Sequence, residues 1–72
     1  MRAWLKEARI DKRLTQDDVS EKADIAPSFY NMIENGNRRP SVEVAKRIAE
    51  ILNFEWTRFY EKEESERSVK KQ

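Results

Sequence analysis

Residues 15–40 read Thr15-Gln16-Asp17-Asp18-Val19-Ser20-Glu21-Lys22-Ala23-Asp24-Ile25-Ala26-Pro27-Ser28-Phe29-Tyr30-Asn31-Met32-Ile33-Glu34-Asn35-Gly36-Asn37-Arg38-Arg39-Pro40. The pattern is two short helices joined by a tight turn. Thr15 is a good N-cap, and Asp18 three residues later can bond back to it, as in a capping box. Val19 and Ala23 are four apart and give the helix over 16–23 a buried stripe. Asp24 tolerates the left-handed backbone that a turn there needs. Pro27 is favoured at a first helical position. Phe29 and Ile33 are expected to face inward, with Tyr30 on the flank. Asn35-Gly36 ends the second helix, the glycine serving as the left-handed residue past its end.

Outward from this stretch, the chain is punctuated sharply by its single Gly and two Pro. Over residues 1–12, Met1, Leu5, Ala8 and Lys12 fall near one helical stripe, Arg9 lies beside Leu5, and Ile10 points elsewhere. Arg13-Leu14 makes the turn into Thr15. After the loop Asn37-Arg38-Arg39-Pro40, Ser41 is positioned to cap a helix over 42–52 that buries Val42, Ala45, Ile48, Ala49 and Leu52. Asn53 ends it. A short fifth helix over 55–60 carries Trp56, Phe59 and Tyr60. The remainder is charged and almost without apolar residues, so a frayed helix or a disordered tail is expected. There is no strand-like alternation and no repeat. The expected fold is all-α, a compact five-helix bundle, with a folded domain over 1–60 and a charged tail over 61–72.

Composition narrows the function classes. The chain has 72 residues, enough for one domain. It has no cysteine and no histidine, which argues against a disulfide framework, a zinc site, a thiol nucleophile or an imidazole base. No acidic pair, nucleophile and base cluster suggests an enzyme, and no cofactor is expected. No apolar run approaches the length of a membrane span, and the N-terminus lacks a signal-peptide apolar core, so a cytoplasmic location is expected. The net charge of +1 comes from 15 basic and 14 acidic residues. That is weak for a nucleic-acid binder, but placement matters more than the sum. Residues 35–42 carry Arg38 and Arg39 and no acid, whereas acids concentrate in 17–24 and 61–66.

The chain resembles the Xre-type helix-turn-helix regulators, the group of the phage Cro and cI repressors, over about residues 5–60. The resemblance rests on Leu5, Ala8-Arg9, Leu14-Thr15-Gln16, Val19-Ser20, Ile25, Ile33-Glu34-Asn35-Gly36, Pro40-Ser41, Ile48-Ala49 and Leu52. Leu14-Thr15-Gln16, followed after about 18 residues by Ile33-Glu34-Asn35-Gly36, is the specific part. It implies a lambda-repressor-like domain whose second motif helix reads the major groove of double-stranded DNA. The chain departs from the family at Arg13 and Asp24, where glycine is common, and at Ala26, where a serine or threonine cap is common. Pro27 and Met32 stand where relatives often carry long polar or basic residues, so a relative's operator sequence does not transfer.

Ser28, Asn31, Met32 and Asn35 fall within roughly 100° of helical arc, away from the inward residues. An isolated serine or asparagine on such an arc is usually just solvated. The resemblance implies that Pro27, Ser28, Asn31 and Met32 face bases, with Asn31 suited to adenine and Met32 to a thymine methyl. It implies phosphate contact for Thr15 and Gln16, where free N–H groups and the helix dipole favour an anion. Asn35, Asn37, Arg38 and Arg39 are expected to reach phosphate from the following loop. Arg9 and Glu34 are implied to form a structural ion pair. Val44 and Ile51 miss the main stripe of the fourth helix and, with Trp56 and Tyr60, suggest a second apolar surface for a homodimer. The expected function is a sequence-specific transcriptional regulator, a repressor acting as a homodimer on a palindromic operator. The alternative is an antitoxin-type interaction module in which DNA binding is secondary, which a neighbouring gene for a small toxic protein would favour.

Overall fold

The computed structural model describes residues 1–61, so the tail expected over 61–72 lies, beyond Glu61, outside the described residues. The order is α1 (Ala3–Asp11), α2 (Gln16–Ala23), α3 (Pro27–Asn35) and α4 (Val42–Leu52). A short fifth helix, α5, begins at 58 and is described to 61. No strand occurs among the described residues. None of their helices is long and apolar enough to cross a membrane.

Local chemistry sets these boundaries. Thr15 Oγ1 accepts from the Asp18 N–H at 3.0 Å and Asp18 Oδ2 accepts from the Thr15 N–H at 2.9 Å, a complete capping box. Ser41 Oγ accepts from the Val44 N–H at 3.2 Å. All four long helices close in the same way. A left-handed residue follows each, and the next N–H reaches back five residues: Leu14 to Arg9 O, Ile25 to Ser20 O, Asn37 to Met32 O and Phe54 to Ala49 O. The left-handed residues are Arg13, Asp24, Gly36 and Asn53, so three of the four bear side chains. Gly36 needs its missing Cβ doubly, because φ is +86° and an added methyl would lie 3.3 Å from the Met1 nitrogen.

The core joins Leu5, Val19, Ala23, Tyr30, Ile33, Ala45, Ile48, Leu52 and Phe59. α2 packs on both α3 and α4, and α1 packs on α3. Trp4, Phe54 and Phe59 meet edge to face at 5.1–5.6 Å and fasten α5 to α1.

Four expectations are corrected. Tyr30 is not on the flank: it is 0% exposed, while Phe29 is only partly buried. The reason is Glu34, which satisfies the phenol and makes its burial tolerable. Val42 is 48% exposed and outside the core, because it sits at the first position of α4 where the buried stripe has not begun. The first helix spans Ala3–Asp11, shorter than 1–12, and both proposed end members of its stripe, Met1 and Lys12, are exposed. The fifth helix starts at 58, not 55. Three successive N–H groups (58, 59 and 60) bond three residues back, which makes a tighter turn through Glu55, Trp56 and Thr57 first.

Candidate nucleic-acid interface

The outward side of α3 is built on a polar node beneath it. Glu34 is the centre. Its Oε2 accepts from Arg9 Nε at 2.8 Å and from the Tyr30 hydroxyl at 2.9 Å. Its Oε1 accepts from Gln16 Nε2 at 2.7 Å and Arg9 Nη2 at 3.2 Å. Arg9 Nη1 also donates to the Leu14 carbonyl at 2.9 Å. The Arg9 and Glu34 side chains are 12% and 2% exposed, so α1, α2 and α3 are joined by a largely buried charge pair.

The electrostatics follow from that geometry. Burial alone would push the Glu34 carboxyl up, but hydrogen bonds from Arg9, Gln16 and Tyr30 outweigh it and hold the pKa below the usual carboxylate value. The same pairing raises the Arg9 guanidinium, against its own burial. Burial first, and the Glu34 charge second, push the Tyr30 phenol up, so it stays a donor.

From the node an amide chain runs to the surface. Asn31 Nδ2 donates to Gln16 Oε1 at 3.0 Å, and Asn35 Nδ2 donates to Asn31 Oδ1 at 3.1 Å. A carboxylate on α3 thereby sets the turn of an amide on α2, which sets an amide back on α3. Pro27 and Ser28 are exposed at the start of α3, and Met32 is partly buried, less free than a surface methionine. Thr15 and Gln16 lie at the N-terminus of α2, but Asp17 and Asp18 occupy the same first turn and already complement the helix dipole.

Beyond α3, Asn37, Arg38 and Arg39 are exposed in the loop. Arg38 lies over the Phe29 ring at 5.9 Å and Arg39 over the Tyr60 ring at 5.7 Å. The α3–loop stretch contains one acid, Glu34, and that acid is buried and paired.

The sequence pattern of the family described as helix-turn-helix matches residues 5–59. The chain belongs to the Xre-type helix-turn-helix regulators. The HTH-type transcriptional regulator YqaF of Bacillus subtilis (strain 168) is 52% identical over 61 residues, covering 85% of this chain and 80% of that protein. No solved structure matches significantly.

Within this helix-turn-helix domain, the residues assigned to a dimer face are only partly together. Trp56 and Tyr60 meet edge to face at 6.0 Å, with the Lys46 ammonium 5.2 Å over Trp56. Val44 and Ile51 are half-buried on α4 against the core. Tyr60 also turns its hydroxyl inward and donates to the Pro40 carbonyl at 3.0 Å.

One residue escaped the sequence reading. Arg2 donates its backbone N–H to the Glu34 carbonyl at 2.8 Å. Its Nη1 donates to the Ile33 carbonyl and, at 3.1 Å, to the Arg38 carbonyl. A basic residue just before a helix is common and carries no local signal. Its partners stand 31 and 36 residues away, beyond any periodicity.

Proposed function

We propose that this regulator is a repressor that binds a palindromic operator as a homodimer. α3 lies in the major groove. Pro27, Ser28, Asn31 and Met32 face the bases. Thr15, Gln16, Asn35, Asn37, Arg38 and Arg39 hold the phosphates on either side. Arg9 and Glu34 keep α3 at its angle. Val44, Ile51, Trp56 and Tyr60 supply the contact between subunits. Residues 1–60 act as the binding domain.

The observation that carries the reading is the pre-set amide chain from Gln16 through Asn31 to Asn35, on a helix side with no exposed acid. An amide that reads a base must be held in one rotamer, and here the holding is done before DNA arrives. Asn31 keeps one amide hydrogen and one oxygen lone pair free, enough for the N7 and N6 edge of adenine. Repression is the simplest output, because a small bound dimer blocks polymerase without further parts.

Selection of bound sequences from a random duplex pool tests this. A two-fold consensus is expected, its half-sites about one helical turn apart, roughly 34–36 Å. Asn31→Ala and Met32→Ala should change the preferred bases, by about 1–3 kcal/mol for a lost good contact. A pool with no enriched sequence, or variants that weaken every duplex alike, would refute the reading.

A further inference from the structure

The carbonyls at the end of α3 point toward the loop, and a helix end leaves its last four without helical partners. Here the chain's own N-terminal segment serves two of them. The Arg2 amide bonds Glu34 O and the Arg2 guanidinium bonds Ile33 O, which places a cation at the negative end of the helix. The same guanidinium nitrogen continues to Arg38 O, inside the loop. Two residues further along the loop, Tyr60 bonds Pro40 O and stacks under Arg39. Arg2 also lies 5.6 Å over the ring of Phe59, the residue that precedes Tyr60.

Burial first, and the like charge of Arg39 second, lower the Arg2 guanidinium, with Tyr60 acting the other way. A purely structural cap would gain from having no such like charge nearby. A loop whose cations must face phosphate needs them gathered, and gathered cations need holding.

We propose that Arg2 and Tyr60 clamp the 37–40 loop at two points, and that Arg2 is a positioning residue which sets Asn37 and Arg38 for the DNA backbone through the Ile33, Glu34 and Arg38 carbonyls. The phosphate part rests on the DNA-binding reading above. The clamp itself does not. Its effect is to remove the loop's freedom in advance, so that binding need not do so. Arg2 acts on all sequences alike, because it touches no base-facing side chain.

Three variants test it: Arg2→Lys, Arg2→Met and Tyr60→Phe. The first keeps the charge but ends one bond short of the Nη1 position that reaches both the Ile33 and the Arg38 carbonyls. The third removes only a hydroxyl and leaves the ring. Amide exchange in the free protein is read at Asn37 and Arg38, whose N–H groups bond Met32 O, against Ile48 and Ala49 in the core. Binding is read on a duplex carrying the selected consensus and on an unrelated duplex, over a salt series. Exchange at Asn37 and Arg38 should quicken in all three variants while Ile48 and Ala49 keep their protection. Affinity should fall about threefold to tenfold, equally for Arg2→Lys and Arg2→Met, with the ratio between duplexes unchanged. Full affinity in Arg2→Lys would mean that charge alone matters, and would overturn the clamp. So would unchanged exchange at Asn37 and Arg38, or quickening spread evenly over the chain. Failure of the wild type on every duplex would instead sink the DNA-binding reading, and the exchange measurement would still decide whether the loop is clamped.

Discussion

Glu34 binds a cation, a phenol and an amide at once, in a place that water hardly reaches. Removing one side of a buried pair leaves the other charge uncompensated, at about 3–5 kcal/mol. A domain of this size has roughly that much stability from its core. Arg9→Met and Glu34→Met should therefore each be largely unfolded, and the double variant should recover part of the loss. Urea denaturation of all three gives the coupling. Small additive losses would show that the pair contributes little. The pH dependence has a definite sign. The folded-state pKa of Glu34 lies below its unfolded value, so its stabilisation is full above about pH 4.3 and is lost as pH falls through the folded value. Asp18, lowered by its bonds with Thr15, acts in the same direction. Glu34→Gln should thus show a flatter stability profile than the wild type between about pH 5 and pH 3, measured by thermal melts. The ion pair was readable only through the family resemblance, and Tyr30 was misplaced because its hydroxyl argues for the surface until its partner is known. Gln16 was read as a phosphate ligand. Its double engagement with Glu34 and Asn31 depends on tertiary placement that no spacing reports.

At the level of elements, most starts and ends were legible. The Thr15–Asp18 box, Pro27 and the Ser41 cap are local chemistry and stand where the residues suggest. The endings at Asp24, Gly36 and Asn53 were equally plain, since glycine, asparagine and aspartate accept a left-handed backbone. Arg13 is different. A long side chain at φ 59° carries strain of about 1–2 kcal/mol, partly offset by the lower freedom of its unfolded chain. Arg13→Gly should raise stability by about 0.5–1 kcal/mol, and Asp24→Gly by less. Ala26 is the uncapped start, with an extended backbone and no side-chain bond to α3. Ala26→Ser should add about 1 kcal/mol. A shift of the urea midpoint at constant slope is the measurement, and a fall in either Arg13→Gly or Ala26→Ser would count against this account of the caps. The start of α5 could not be read in advance. Trp56, Phe59 and Tyr60 have helical spacing, but Asn53 and Phe54 first turn the chain so that Phe54 can join Trp4 and Phe59.

The whole molecule must place two copies of α3 one DNA turn apart if the proposed dimer is right. A two-fold contact repeats one patch on both subunits, and α3 cannot both read and pair. Trp56 is the natural anchor, because tryptophan dominates interface energies and this one is only partly covered. Trp56→Glu is expected to sediment as a monomer, keep its helical signal and lose tight operator binding as the half-sites stop acting together. A dimeric Trp56→Glu, or a wild type that stays monomeric at high concentration, would place the contact elsewhere. Tyr60 complicates the patch, since its hydroxyl belongs to the loop and only its ring can face a partner. The bond between Asn31 and Gln16 reaches furthest at this scale. Side chains on the outer side of α3 could be exchanged with a relative's without disturbing Tyr30, Ile33 or the Glu34 carboxylate. Asn31 is the exception, because its support comes from another helix. A transplant of α3 alone would deliver the asparagine without the glutamine that aims it. On the proposed reading of Asn31, the transferable unit of DNA address is therefore not a helix but a pair of amides on two of them.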